Sequence, residues 1–165
     1  MSTVEAEPGG ELITAAPREG RSVWLLGDRY TYKVTGKQTG GAYGTVEAEI
    51  YPGSGVPLHI HHREDESFYV LDGELEFVCG GRPFPAKAGA FLHVPKGMLH
   101  AFKNVTGSVA RMLVTYSPAG YEQLFERAGR PASPGDTRMP GTPDDLKRLI
   151  DCAPEFNLEI RAPQA

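Results

Sequence analysis

From Arg21 to Pro118 the chain is cut every few residues by glycine- and proline-rich turn signals, and the pieces between them are too short for regular helices. RSVWLLG and RYTYKVT are split at Gly27-Asp28. TVEAEIY alternates Val46, Ala48 and Ile50 with Glu47 and Glu49, the period of two expected of a half-buried strand. ESFYVL meets ELEFVC across Asp72-Gly73, a two-residue hairpin signal, and Gly80-Gly81 turns the chain again into RPFPA. AFLHV, LHAFKN and VARMLVTY follow, separated by Pro95-Lys96-Gly97 and Thr106-Gly107-Ser108. Strands at such short and even spacing predict an all-β barrel or jelly roll.

After Pro118 the pattern changes. GYEQLFERAG places Tyr121, Leu124 and Phe125 at helical spacing and stops at Gly129. A connector rich in proline, glycine and serine leads to TPDDLKRLIDC, where Thr142 suits an N-cap, Pro143 the first helical position, and Asp144-Asp145 the positive end of the helix. The expected organisation is an N-terminal arm (1–20), a β-barrel (21–118) and a C-terminal extension with one or two helices (119–165), all within a single domain of 165 residues. The net charge of −4 and the scattered basic residues argue against a nucleic-acid partner. No apolar run has the ~18 residues a membrane span needs, and the polar, acidic start has no apolar signal-peptide core. Cys79 and Cys152 lie far apart and are expected to be reduced thiols, so a cytoplasmic protein is expected.

Three of the five histidines fall within PLHIHHREDESFYVLDG. On a strand, side chains alternate faces, so His59 and His61 share one side while Ile60 and His62 share the other. Glu66 opens the next strand and His100 lies on LHAFKN, which can run alongside in a barrel. Three imidazoles and a carboxylate converging on one point make a mixed nitrogen and oxygen site for a divalent transition metal: Fe, Mn, Co, Ni, Cu or Zn. His62 should point outward by parity, and Glu64-Asp65-Glu66 taken alone reads as a solvated turn. His93 alone reads as a packed or hydrogen-bonded histidine.

The long-range pattern resembles the cupin superfamily. Gly53, His59, His61, Glu66 and Gly73 fill its first motif, and Gly89, Pro95, Gly97, His100 and Asn104 fill its second without a gap. The likeness extends over roughly 22–116 and implies a small β-barrel holding one divalent ion by His59, His61, Glu66 and His100. Glu64 falls two residues short of the motif position, so neither it nor His62 is expected to be a ligand.

Within that superfamily the chain is similar to single-domain bacterial cupins of the quercetin dioxygenase-like kind. The similarity implies a metal-dependent dioxygenase of a flavonol-like, aromatic or enolisable small molecule, with Glu66 as the catalytic base and dioxygen as co-substrate. Two other readings fit the same residues: a non-redox isomerase, cyclase, decarboxylase or lyase, and a non-catalytic small-molecule binder. By strand parity Phe68, Val70 and Phe102 should face the interior as substrate contacts, with Tyr51, Met98 and Tyr116 as further candidates. The resemblance also implies a homodimer.

Overall fold

A computed structural model of the chain describes residues 10–161. Of the expected N-terminal arm, residues 1–9 lie outside the described residues, as do residues 162–165 at the other end. Ten strands precede the C-terminal extension: β1 (Ser22–Leu25), β2 (Asp28–Val34), β3 (Gly44–Ile50), β4 (Gly55–His61), β5 (Asp65–Asp72), β6 (Glu74–Cys79), β7 (Arg82–Lys87), β8 (Phe91–Val94), β9 (His100–Lys103) and β10 (Ala110–Ser117). The extension adds α1 (Gln123–Ala128), β11 (Arg130–Ala132), α2 (Pro143–Cys152), a 3-10 turn (Ala153–Phe156) and β12 (Leu158–Ile160).

The strands form two sheets, in the orders β11-β1-β2-β3-β10-β5-β8 and β12-β4-β9-β6-β7. Alternation decides which side chains fill the space between them. Val46, Ala48 and Ile50 on β3, Phe68 and Val70 on β5, and Met112 and Val114 on β10 are all buried in one hydrophobic core. Leu75 and Phe77 on β6 and Phe102 on β9 join it from the other sheet. Phe77 stands directly opposite Phe102 in the register, with ring centroids 5.7 Å apart.

One sequence expectation fails here. Asp72-Gly73 does not close a hairpin, because β5 pairs with β10 and β8 while β6 pairs with β7 and β9. Gly73, at φ +78°, instead passes the chain from one sheet to the other, and a Cβ there would lie 3.0 Å from the Ala110 Cα. The true hairpin of this region is β6–β7, turned by Gly80 and Gly81 at φ +57° and +80°.

The extension is less purely helical than its sequence suggests, since β11 adds to the edge strand β1 and β12 to the edge strand β4. Both are three residues long, too short to show a period. α2 starts as its sequence requires: Thr142 and Asp145 form a reciprocal capping box with Pro143 in the first turn. Buried Leu124, Phe125 and Leu149 anchor the two helices to the core.

Two buried polar residues away from the candidate site give testable consequences. Asn104 is fully buried; its Nδ2 donates to the Ile50 and Ser108 carbonyls (2.8 and 2.7 Å), and its Oδ1 accepts from the Thr106 backbone N–H and hydroxyl (2.9 and 2.8 Å). Asn104→Ala strands these partners and should cost about 2–4 kcal/mol in denaturant unfolding. Asp28 is also fully buried, accepting from the Tyr51 N–H at 3.0 Å through one oxygen while the other has no hydrogen-bond partner. Burial raises its carboxyl to about 7. The folded state therefore holds this proton more tightly than the unfolded chain, and that stabilisation is lost as pH rises from the ordinary carboxyl range through 7. Asp28→Asn removes the loss, so variant minus wild-type stability should grow by about 2–4 kcal/mol between pH 5 and pH 8. Thermal unfolding at the two pH values measures it.

Candidate metal centre

His59 and His61 lie on β4, Glu66 on β5 and His100 on β9, so the four residues come from both sheets and meet between them. The register explains the meeting. His59 stands opposite His100 across β4 and β9, and in the other sheet Glu66 stands between Tyr116 of β10 and Val94 of β8. All four are buried, and one ligand-type atom from each lies within 4.8 Å of every other.

The imidazoles are oriented by the backbone. His59 Nδ1 lies 2.7 Å from the Pro57 carbonyl and His100 Nδ1 lies 2.9 Å from the Met98 carbonyl. A carbonyl only accepts, so each Nδ1 carries the donated proton and each Nε2 is left for the cluster. His100 Nε2 meets Glu66 Oε2 at 2.7 Å. His61 Nε2 sits 3.1 Å from the same oxygen but without hydrogen-bond geometry, so both of its buried ring nitrogens lack a hydrogen-bond partner among the described residues. Buried polar atoms without partners are rare in folded proteins. A divalent ion shared by the four side chains would answer that need at one of the two nitrogens, and the donor set of three imidazoles and one carboxylate fits a first-row transition metal.

The electrostatics agree. Burial alone would raise the Glu66 carboxyl, yet the imidazoles of His61 and His100 outweigh it and hold the group well below the usual carboxylate range. Burial, reinforced by His100 and His61, pushes His59 down to about 3, so this ring is neutral. For His100 the burial effect is overcome by the hydrogen bond to Glu66, and its pKa rises.

The remaining residues singled out in the sequence fall in several places. Phe102 and Tyr116 line a cavity of about 30 Å³ together with His59 and Glu66. Phe68 packs among Phe77, Phe102 and His100, with ring centroids 5.0, 6.0 and 6.3 Å away, and Val70 is fully buried in the core. Met98 lines a separate groove with Cys79, Phe84 and Phe91. Tyr51 packs against Trp24 (5.9 Å between centroids), beneath the Arg138 guanidinium. His62 is exposed and pairs with Glu159 at 2.8 Å, and His93 pairs with the Ser67 hydroxyl at 3.1 Å.

Three neighbours of the cluster escape the sequence reading. Glu64 is only 1% exposed; its Oε1 accepts from Arg63, and its unpartnered Oε2 lies 3.8 Å from His61 Nδ1. Burial raises its carboxyl despite Arg63. Tyr30 and Tyr121 also line the cavity, the latter with its ring edge-on to His61 at 4.4 Å. Tyr30 shares strand parity with Tyr32, a signal available in RYTYKVT, whereas Tyr121 reaches the site only because the extension folds back.

Comparison with known proteins agrees with this construction. Residues 46–116 match the cupin domain family. Over 100 residues (61% of the chain and 60% of the relative) the sequence is 35% identical to polyketide synthase CurC of Streptomyces cyaneus. Over 95 residues (58% of the chain) it is 28% identical to quercetin 2,3-dioxygenase of Bacillus subtilis, of which it covers 28%. The chain thus spans less than two thirds of the length of either relative. The crystal structure of a predicted oxalate decarboxylase from Thermotoga maritima superposes on 66% of the chain and 99% of its own, with a TM-score of 0.57 and 22% identity, a likeness of fold. The match at residues 46–116, the two motifs meeting between the sheets and the shared fold make this part of the chain similar to cupin domains.

Proposed function

We propose that the chain is a metal-dependent enzyme that binds an oxygenated aromatic or enolisable small molecule at His59, His61, Glu66 and His100 and reacts it with dioxygen. The observation that supports this most is the pairing of that buried donor cluster with a cavity walled by phenols and apolar side chains. A divalent ion held there supplies Lewis acidity toward an enolate oxygen. The protein's own residues do the rest. Glu66 accepts the substrate's hydroxyl proton, since its carboxylate is kept ionised by His61 and His100. Phe102, Val114 and Phe125 exclude water, and Leu149, Leu158 and Ile160 from the extension close the cavity. At about 30 Å³ the cavity holds no more than a water or two, so a substrate requires its lining to move apart. The similarity to a quercetin dioxygenase over 95 residues favours the oxygen-consuming reaction. The 35% identity to a polyketide synthase over 100 residues favours a second reading, in which the same Lewis acidity and the base Glu66 would serve a non-redox cyclisation of a polyketide-like enol.

Metal binding is tested first, on metal-stripped protein titrated with zinc or nickel. Wild type should bind about one ion per chain, and His59→Ala or Glu66→Gln should weaken binding by at least about 100-fold. Because imidazoles bind only when neutral, the raised pKa of His100 should make affinity fall as pH drops below about 7, whereas His59, lowered to about 3, stays neutral there. Undiminished binding at pH 5 would exclude His100 as a ligand.

The reaction is tested by oxygen consumption, with protein loaded separately with each candidate metal against single-ring enols, catechols and flavonols. Uptake that matches substrate loss and vanishes in His59→Ala supports the dioxygenase. Metal-dependent substrate conversion without uptake moves the assignment to the cyclase reading.

A further inference from the structure

Buried phenols ordinarily give their hydroxyl a protein partner, because an unpaired polar group costs free energy away from water. Tyr32 follows the rule: its hydroxyl donates to the Glu122 carbonyl at 2.9 Å. Tyr30, two residues earlier on the same strand, and Tyr121, on the segment entering α1, do not. They are 3% and 7% exposed; among the described residues neither hydroxyl forms a side-chain hydrogen bond, and neither oxygen is among the fully enclosed unpartnered atoms, so each keeps contact with open space. Both line the small cavity that His59 and Glu66 also line.

Their positions are fixed by packing, so the hydroxyls are held ready. The Tyr30 ring stacks on Phe125 with centroids 4.5 Å apart and planes 23° from parallel. The Tyr121 ring is wedged between His61 (4.4 Å) and Tyr116 (4.5 Å). A phenol hydroxyl is protonated at neutral pH and so is available as an O–H donor. Two rigid donors facing a cavity beside a charged cluster match a ligand with more than one oxygen.

We infer that Tyr30 and Tyr121 form a two-hydroxyl clamp that binds the second oxygen of a vicinally or 1,3-dioxygenated ring whose first oxygen engages the His59–Glu66 cluster. This assignment rests on the metal-centre reading above and narrows its substrate class: a mono-oxygenated ring would leave the clamp unpaired and be disfavoured. Tyr30 and Tyr121 are specificity residues in this scheme, and the chemistry remains with Glu66.

The test uses two chromophoric probes, 4-nitrocatechol and 4-nitrophenol, titrated by difference absorbance into the full-length, zinc-loaded protein. Tyr30→Phe and Tyr121→Phe keep the rings and their packing. Each should weaken 4-nitrocatechol about 3- to 10-fold, the worth of one hydrogen bond, and change 4-nitrophenol less than about 2-fold. Zinc affinity and melting temperature should stay close to wild type. If both variants bind 4-nitrocatechol as wild type does, while His59→Ala abolishes binding, the clamp is wrong and the metal-centre reading stands. A change in melting temperature alone, with 4-nitrocatechol binding intact, assigns the hydroxyls to stability and equally overturns the clamp. If zinc binds but wild type binds neither probe, the clamp falls and the metal centre stands; if no zinc binds, or the probes bind regardless of His59→Ala, the metal-centre reading falls and the clamp falls with it.

Discussion

A carboxylate buried between two sheets is the constraint on which the centre of this structure depends. An isolated ionised Glu66 at 3% exposure would be expelled or protonated, because burial penalises charge heavily. It stays ionised because His61 and His100 stand 3.1 and 2.7 Å from the same oxygen. His100 and its register partner His59 are themselves placed by backbone carbonyls two residues before them in the chain, Met98 ahead of His100 and Pro57 ahead of His59. Charge compensation therefore links the two sheets: β5 supplies the anion and β4 and β9 supply the rings.

This linkage explains why the sheet crossing at Gly73 matters more than the hairpin its sequence suggests. A β5–β6 hairpin would place Glu66 in the same sheet as its histidine partners, side by side with them. The crossover instead sends β5 to pair with β10 in one sheet, while β6 aligns with β9 in the other. Glu66 then faces His59 and His100 across the interior. A turn dipeptide specifies a local reversal, but the identity of the strand's partner depends on where both faces can be buried. Phe68 and Val70, both fully or almost fully buried, can satisfy that need only in the space between the sheets.

The same physics separates what was legible in the sequence from what was not. The four clustered donors were legible because strand parity and motif spacing are local properties that survive into the fold. Glu64 reads as a solvated turn, since nothing in HHREDE shows that Arg63 will reach over to Glu64 and the Ala119 carbonyl. Tyr121 reads as one residue of a helical stripe, yet the segment is turned so that its ring meets His61. β11 and β12 were invisible for a related reason: three residues carry no period, and their strand geometry is imposed by the edges of β1 and β4.

Those edges connect the fold to its chemistry. β4 carries two of the clustered donors and would otherwise be an unpaired edge, a liability for any sheet protein. β12 covers it in register, with Leu158 opposite His61 and Ile160 opposite His59. The backbone bonds continue on either side, from the His62 N–H to the Asn157 carbonyl and from the Arg161 N–H to the Leu58 carbonyl. The segment that protects the edge also places Leu158 and Ile160 against the cavity, beside Leu149 of α2. Edge protection and closure of the site are thus one structural element. A short three-residue strand is also among the cheapest parts of a sheet to detach, since few backbone bonds hold it. Detaching β12 would cost only this small edge pairing and would leave the pairing of β4 with β9, which positions His59 and His100, in place.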